Sequence, residues 1–254
     1  MRRCMVGIFK GGCGKTTISA TVAIGLARRG FRVVLADLDP QSSCTDLVGL
    51  RGYEGPNVRH LIMEGVPIRE VLVEVEPNLF LIPGSKTLGR AEAWISTQVA
   101  RERIVEKRLS PIIADFVVMD TSPAFSFLNV ACLFYASEVW IPVVYDYLVL
   151  VGLEQFRETL DLVDKELGHS VPVRYLIPNR YDERPILSRA IHEKLIQTFG
   201  EEVFTNPIRS SVKVGEAASN HLPIYDYEPN HKVSADFLQL IDRVAGDSEQ
   251  RKEL

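Results

Sequence analysis

The stretch KGGCGKTT at residues 10–17 constrains this chain more than any other part of it. An apolar run, CMVGIF (4–9), leads in and reads as a buried first strand. The segment KTTISATVAIGLARR (15–29) leads out, with Ile18, Val22 and Leu26 at helical spacing and a stop at Gly30. Strand, glycine loop and helix in that order turn a G-K-T pattern into a phosphate-binding mechanism. Gly11, Gly12 and Gly14 lack a Cβ, so the backbone can bend around phosphates with its N–H groups facing inward. The helix start at Lys15 adds partial positive charge. Lys15 is placed to reach the β- and γ-phosphates of a nucleotide, the Thr16 hydroxyl to bind Mg²⁺, and Thr17 to meet the α-phosphate. Cys13 fills a variable slot as a small side chain. Such a loop needs one lysine, and a second, Lys10, stands at its front.

Further apolar runs without alternation follow: FRVVLAD (31–37), LFLIP (79–83), DFVVMD (115–120), VWIPVV (139–144) and VRYLIP (173–178). Helical patterns separate them. Such runs fit strands covered on both faces, hence an α/β fold with a doubly wound, mostly parallel sheet flanked by helices. The 254 residues, 46% hydrophobic, suit one domain over 1–254, with a polar tail from about 246. Residues 84–108, ending RERIVEKR, read as helix with a solvated charged face. No apolar run can span a bilayer, and MRRCMVGIF leaves no room for a signal-peptide core, so a cytoplasmic protein is expected. The cysteines Cys4, Cys13, Cys44 and Cys132 form no C-x-x-C pair and read as reduced thiols. A net charge of −4 argues against a uniformly basic DNA-coating protein and permits a local basic patch.

KGGCGKTT resembles the deviant Walker A motif of the ParA/MinD family of P-loop ATPases, whose signature is the extra lysine. VVLADLDPQSS (33–43) resembles that family's second motif, and DFVVMDTSP (115–123) its Walker B strand and switch turn. EVWIPVVYDYLVLVGLEQF (138–156), LIPNRYDER (176–184) and NPIRSSVKVGEAASNHLPIYDYEPN (206–230) extend the resemblance to about residue 245. It implies that Lys10 reaches across an ATP-bound sandwich dimer to the partner's phosphates. It implies that Asp39 orients or deprotonates the attacking water, and that Thr16, Asp39 and Asp120 surround Mg²⁺ with Asp37 in support. Asn179 would contact adenine. Two departures stand out: Thr121-Ser122-Pro123 where D-x-P-P is usual, and His221 where glycine is common.

Within the family, MinD-type members end in a basic amphipathic helix that lies on membranes. This chain ends SADFLQLIDRVAGDSEQRKEL, a modest apolar stripe and a polar tail, so no membrane docking is expected. The first strand begins within a few residues of Met1, so the operator-reading extension of larger partition ATPases is not expected. What the resemblance implies is a small ParA/Soj-type ATPase: a homodimer with ATP, bound nonspecifically to DNA through Arg184 and Lys213, and stimulated by a ParB-like or other adaptor. Its expected place is the cytoplasm, on the nucleoid. The alternatives are a relative that positions another cargo, such as a carboxysome or chemoreceptor cluster, and a MinD-like division-site regulator. Cluster-carrying relatives need cysteine pairs that this chain lacks.

Overall fold

The computed structural model describes residues 1–250 apart from Phe9, Tyr147, Leu148 and Thr205. In chain order its elements are β1 (Arg2–Val6), α1 (Lys15–Arg28), β2 (Val33–Leu38), α2 (Ser43–Leu47), a π-helical turn (His60–Glu64), α3 (Ile68–Val71), β3 (Val73–Glu76), β4 (Leu79–Ile82), α4 (Leu88–Ser96), α5 (Ile104–Leu109), β5 (Phe116–Thr121), α6 (Phe127–Tyr135), β6 (Glu138–Val144), α7 (Val149–Leu167), β7 (Val173–Asn179), α8 (Ile186–Phe199), α9 (Val212–Ser219), α10 (Ile224–Tyr227) and α11 (Lys232–Gln250). The sheet order is β3-β4-β2-β5-β1-β6-β7. Every pair in it is parallel except β3 with β4. β2 and β5 are buried at every residue, as strands covered on both faces must be. One apolar layer packs residues of α4–α8 against the sheet; the other packs α1 and α9–α11 around Phe116, Trp140 and Phe237.

Register positions the site. Asp120 of β5 lies beside Val6 of β1 on one side and beside Asp37 of β2 on the other. Both carboxylates therefore sit at the C-terminal edge of the sheet, where parallel α/β folds bind ligands.

Four details differ from the sequence reading. β1 starts at Arg2, because the Arg2 guanidinium is buried in an ion pair with Glu138 (2.6 Å) and donates to the Val244 carbonyl (2.7 Å). The strand stops at Val6, and Gly7 already belongs to the loop. β3, with one face half-buried, adds an antiparallel edge that the sequence reading did not mark. Residues 84–108 form two helices separated by a left-handed Ala100 (φ 52°), and Leu88, Ala91, Ile95, Ile104 and Val105 are buried, so their charged faces are only the outer half. Finally, α11 runs through Gln250 where a polar tail from 246 was expected. Asp247 is buried there and accepts from Arg174 and from the Tyr175 hydroxyl, both at 2.6 Å. Among the described residues no helix is long and apolar enough to cross a membrane.

Candidate active site

The loop between β1 and α1 takes the shape its glycines permit. Gly12 and Gly14 have φ of 71° and 91°, in the left-handed region. A Cβ on Gly14 would also collide with the Asn179 amide. Asn179, at the end of β7, is buried; its Nδ2 donates to the Cys13 carbonyl (2.8 Å) and its Oδ1 accepts from the Arg180 N–H (2.9 Å). Asn179 therefore braces the loop from behind. Cys13 is buried in the loop, and burial pushes its thiol pKa up, so it stays protonated. Lys15 is folded inward, its Nζ donating to the Lys10 carbonyl at 2.8 Å. The Lys10 ammonium forms an ion pair with Asp146, just past β6.

Beneath the loop lies Asp120, fully buried. Its Oδ1 accepts from the Ser19 hydroxyl (3.2 Å), and the neighbouring Thr16 and Ser19 side chains act to hold its pKa down. Its Oδ2 is buried and has no partner among the described residues. Burial, then the charge of Asp37, raises its pKa to about 8. A buried carboxylate oxygen without a partner, beside a threonine hydroxyl at a phosphate loop, fits a hard divalent cation that keeps several waters and takes one or two protein oxygens. Asp37 is spoken for differently. Its Oδ2 accepts from the Thr45 N–H (2.8 Å) and hydroxyl (2.6 Å), which fixes the start of α2, and burial raises its pKa to about 6. Asp39, half-buried, accepts from the Gln41 N–H at 2.8 Å.

Gly11 to Thr17 and Asp39 line one cleft of about 490 Å³, closed on its other side by Pro123, Arg180, Ala218 and His221. Backbone strain gathers around it. Of the five non-glycine residues with positive φ among the described residues, Arg180 and His221 line the cleft and Ser42 sits between its lining residues Gln41 and Ser43. A larger cleft of about 890 Å³ contains none of the loop residues and is walled by Tyr181, Arg184, His192 and Arg209. Arg184 is thus outside the loop's cleft and is paired with Asp182 (2.7 Å); Lys213 is paired with Glu216 (2.9 Å) and Glu228 (3.3 Å).

The sequence reading passed over Ser19, Thr45, Asp146 and Asn129. Ser19 lies one turn after Thr16 on the same face of α1, a spacing that could have found it. Asn129, buried in α6, donates to the carbonyls of Ser122 (2.9 Å) and Ala124 (2.6 Å) and so holds the turn after β5. Thr45 and Asn129 reach partners a few residues back, across turns that no helical or strand period marks, and Asp146 meets Lys10 across 136 positions.

Known proteins place this geometry. A family model described as an AAA domain matches residues 1–173. The chromosome-partitioning ATPase Soj of Thermus thermophilus is 31% identical over 246 residues, 96% of this chain and 95% of that protein. The cell division protein PomZ of Myxococcus xanthus is 29% identical over 250 residues, 96% of this chain and 77% of that protein. Among solved structures, an ATP complex of Cyanothece McdA superposes with a TM-score of 0.86 at 20% identity, covering 97% of this chain and 96% of that one. Cobyrinic acid a,c-diamide synthase from Mycobacterium smegmatis, with bound ATP analog and magnesium, gives 0.81 at 25% identity, covering 95% and 93%. Over nearly its whole length, and with the glycine loop that its fold requires, the chain belongs to the ParA/Soj family of P-loop ATPases.

Proposed function

We propose that this chain is an ATP-driven partition or positioning ATPase that dimerises around Mg²⁺-ATP and rides nonspecifically on DNA to segregate a chromosome or plasmid, in the cytoplasm on the nucleoid. The observation that carries the reading is the unpartnered Asp120 Oδ2 beside Thr16, under a loop with lysines at both ends. Thr16 and Asp120 would hold Mg²⁺, with Asp39 close by. When bound, the ion neutralises charge on the β- and γ-phosphate oxygens. Asp120 would lose its proton to solvent on taking up the ion. Gly11 to Gly14 direct backbone N–H groups at the phosphates, and Lys15 exchanges the Lys10 carbonyl for phosphate oxygen. Asp39, at the cleft's edge, orients or deprotonates the attacking water. Asn179 holds the loop and would contact the adenine. Lys10 leaves Asp146 and serves the partner's phosphates, which ties dimerisation to the nucleotide. A ParB-like or other adaptor stimulates slow hydrolysis.

The test is phosphate release with Mg²⁺ or with chelator, run beside light scattering in ATP and in ADP. Magnesium-dependent turnover and a dimer confined to ATP are expected. No turnover with mixed-sequence DNA and magnesium present, together with a monomer in ATP, would refute the reading. A second reading, a relative that positions a cargo other than DNA, is favoured by one observation: Arg184 and Lys213 are each already neutralised by acidic neighbours. PomZ, named as a cell division protein, shows that relatives carry other names than partition.

A further inference from the structure

His221 follows α9 in the left-handed region, at φ 57°. Its N–H donates to the Ala218 carbonyl and that of Leu222 to the Ala217 carbonyl, both at 3.1 Å. This pair of bonds is the Schellman closure of a helix, and at its C′ position glycine is favoured because it has no Cβ. A histidine there is strained, and strain at the border of a ligand cleft calls for a reason. The ring supplies one. His221 Nδ1 lies 2.6 Å from the backbone carbonyl of Asp46, 175 residues away, on the helix that follows Asp39. A carbonyl only accepts, so Nδ1 carries the proton. His221 and Asp46 both line the loop's cleft. Their bond therefore closes one side of it and ties the α9–α10 turn to α2.

We propose that His221 is a positioning residue for the nucleoside triphosphate: a strap from the α9–α10 turn to α2 that slows nucleotide release and holds α2, with Asp39 just before it, against the bound ligand. The proposal rests on the reading of this cleft as the nucleotide site. The strap has a property that a merely structural residue lacks. Replacing it with glycine, at ease in the left-handed region, relieves strain, so fold stability and nucleotide retention should move in opposite directions.

The experiment uses the full chain, Mg²⁺ and a fluorescent N-methylanthraniloyl ATP, with release followed by stopped flow after chase with unlabelled ATP. His221→Gly and His221→Asn both accept the left-handed backbone; glycine removes the donor, whereas the asparagine amide Nδ2, like the imidazole Nδ1 one bond from Cγ, can still donate to the Asp46 carbonyl. Loss of one exposed hydrogen bond should accelerate release about three- to tenfold in His221→Gly, and His221→Asn should restore release toward the wild-type rate. The nucleotide-free His221→Gly variant should melt no lower than wild type, and about 2 °C higher if the strain is fully relieved. A wild-type release rate in His221→Gly would overturn the strap while leaving the nucleotide site intact. Faster release in His221→Gly accompanied by a lower melting temperature, with neither rescued by His221→Asn, would also overturn it, since that is the signature of a structural residue. Failure of the wild type to bind the analogue at all would instead refute the nucleotide reading, and the strap with it.

Discussion

The signature lysine, Lys10, is held within its own subunit by Asp146, an ion pair whose side chains remain about a third and nearly half exposed (29% and 46%). A pair in that setting contributes only about 0.2–1 kcal/mol. It can hold Lys10 in place without locking it.

This gives the first prediction. Lys10→Ala should bind Mg²⁺-ATP through Lys15 and fail to dimerise. Asp146→Asn should release Lys10 and strengthen the ATP dimer by about two- to fivefold, the equilibrium equivalent of one exposed pair. Equilibrium sedimentation in ATP reads both. A Lys10→Ala variant that dimerises like wild type would remove the trans role.

Asp39 is expected to act on water and not to hold the fold, since its hydrogen bond to Gln41 is local and its carboxylate is only half-buried. Asp39→Ala should keep Mg²⁺-ATP affinity within a few fold and lose about 10²–10⁴ in turnover. The dimer should then persist in ATP. Turnover assays with scattering on the same samples check this, and undiminished turnover would assign the role elsewhere.

The buried carboxylates set a pH dependence. In the metal-free fold the pKa is about 8 for Asp120 and about 6 for Asp37, against roughly 3.9 for aspartate in an unfolded chain. Between those limits the unfolded chain is ionised and the folded protein holds the protons, so stability falls as pH rises. With chelator present, the melting temperature should fall between pH 6 and 8. Asp120→Asn should flatten that fall, and Mg²⁺ with ATP should offset it at pH 8. A melting temperature independent of pH in wild type would contradict the burial argument.

DNA binding by the ATP dimer should be insensitive to sequence and sensitive to salt. Each phosphate contact contributes about −0.9 to the slope of log affinity against log salt. Arg184→Ala with Lys213→Ala should weaken binding to all duplexes alike and make the slope shallower, while ATP turnover without DNA is kept. Filter binding over a salt series, with ATP and with ADP, measures this. No binding at low salt in ATP would favour a cargo system that does not use DNA as its track.

Several features could be read from residue order alone, because the forces that make them are local. Glycines followed by Lys15 and Thr16 between a strand and a helix carry the pattern of a phosphate loop, and its left-handed turns fall where the glycines stand. Unbroken apolar runs such as FVVM before Asp120 mark strands buried on both faces, and so put that carboxylate at the sheet's C-terminal edge. Tertiary structure decided the rest, because those contacts join residues that topology, not spacing, brings together. Arg2 reads as a surface residue until β6 places Glu138 beside it, 136 positions away. Asp37 and Asp120 become neighbours only through the parallel register of β2 and β5, and their mutual burial, not their identity, raises both pKa values. His221 departs from glycine visibly in sequence, but its partner is a backbone carbonyl, which leaves no trace in residue identity. Lys10 was recognisable as a signature; that Asp146 holds it depends on β6 ending next to the loop.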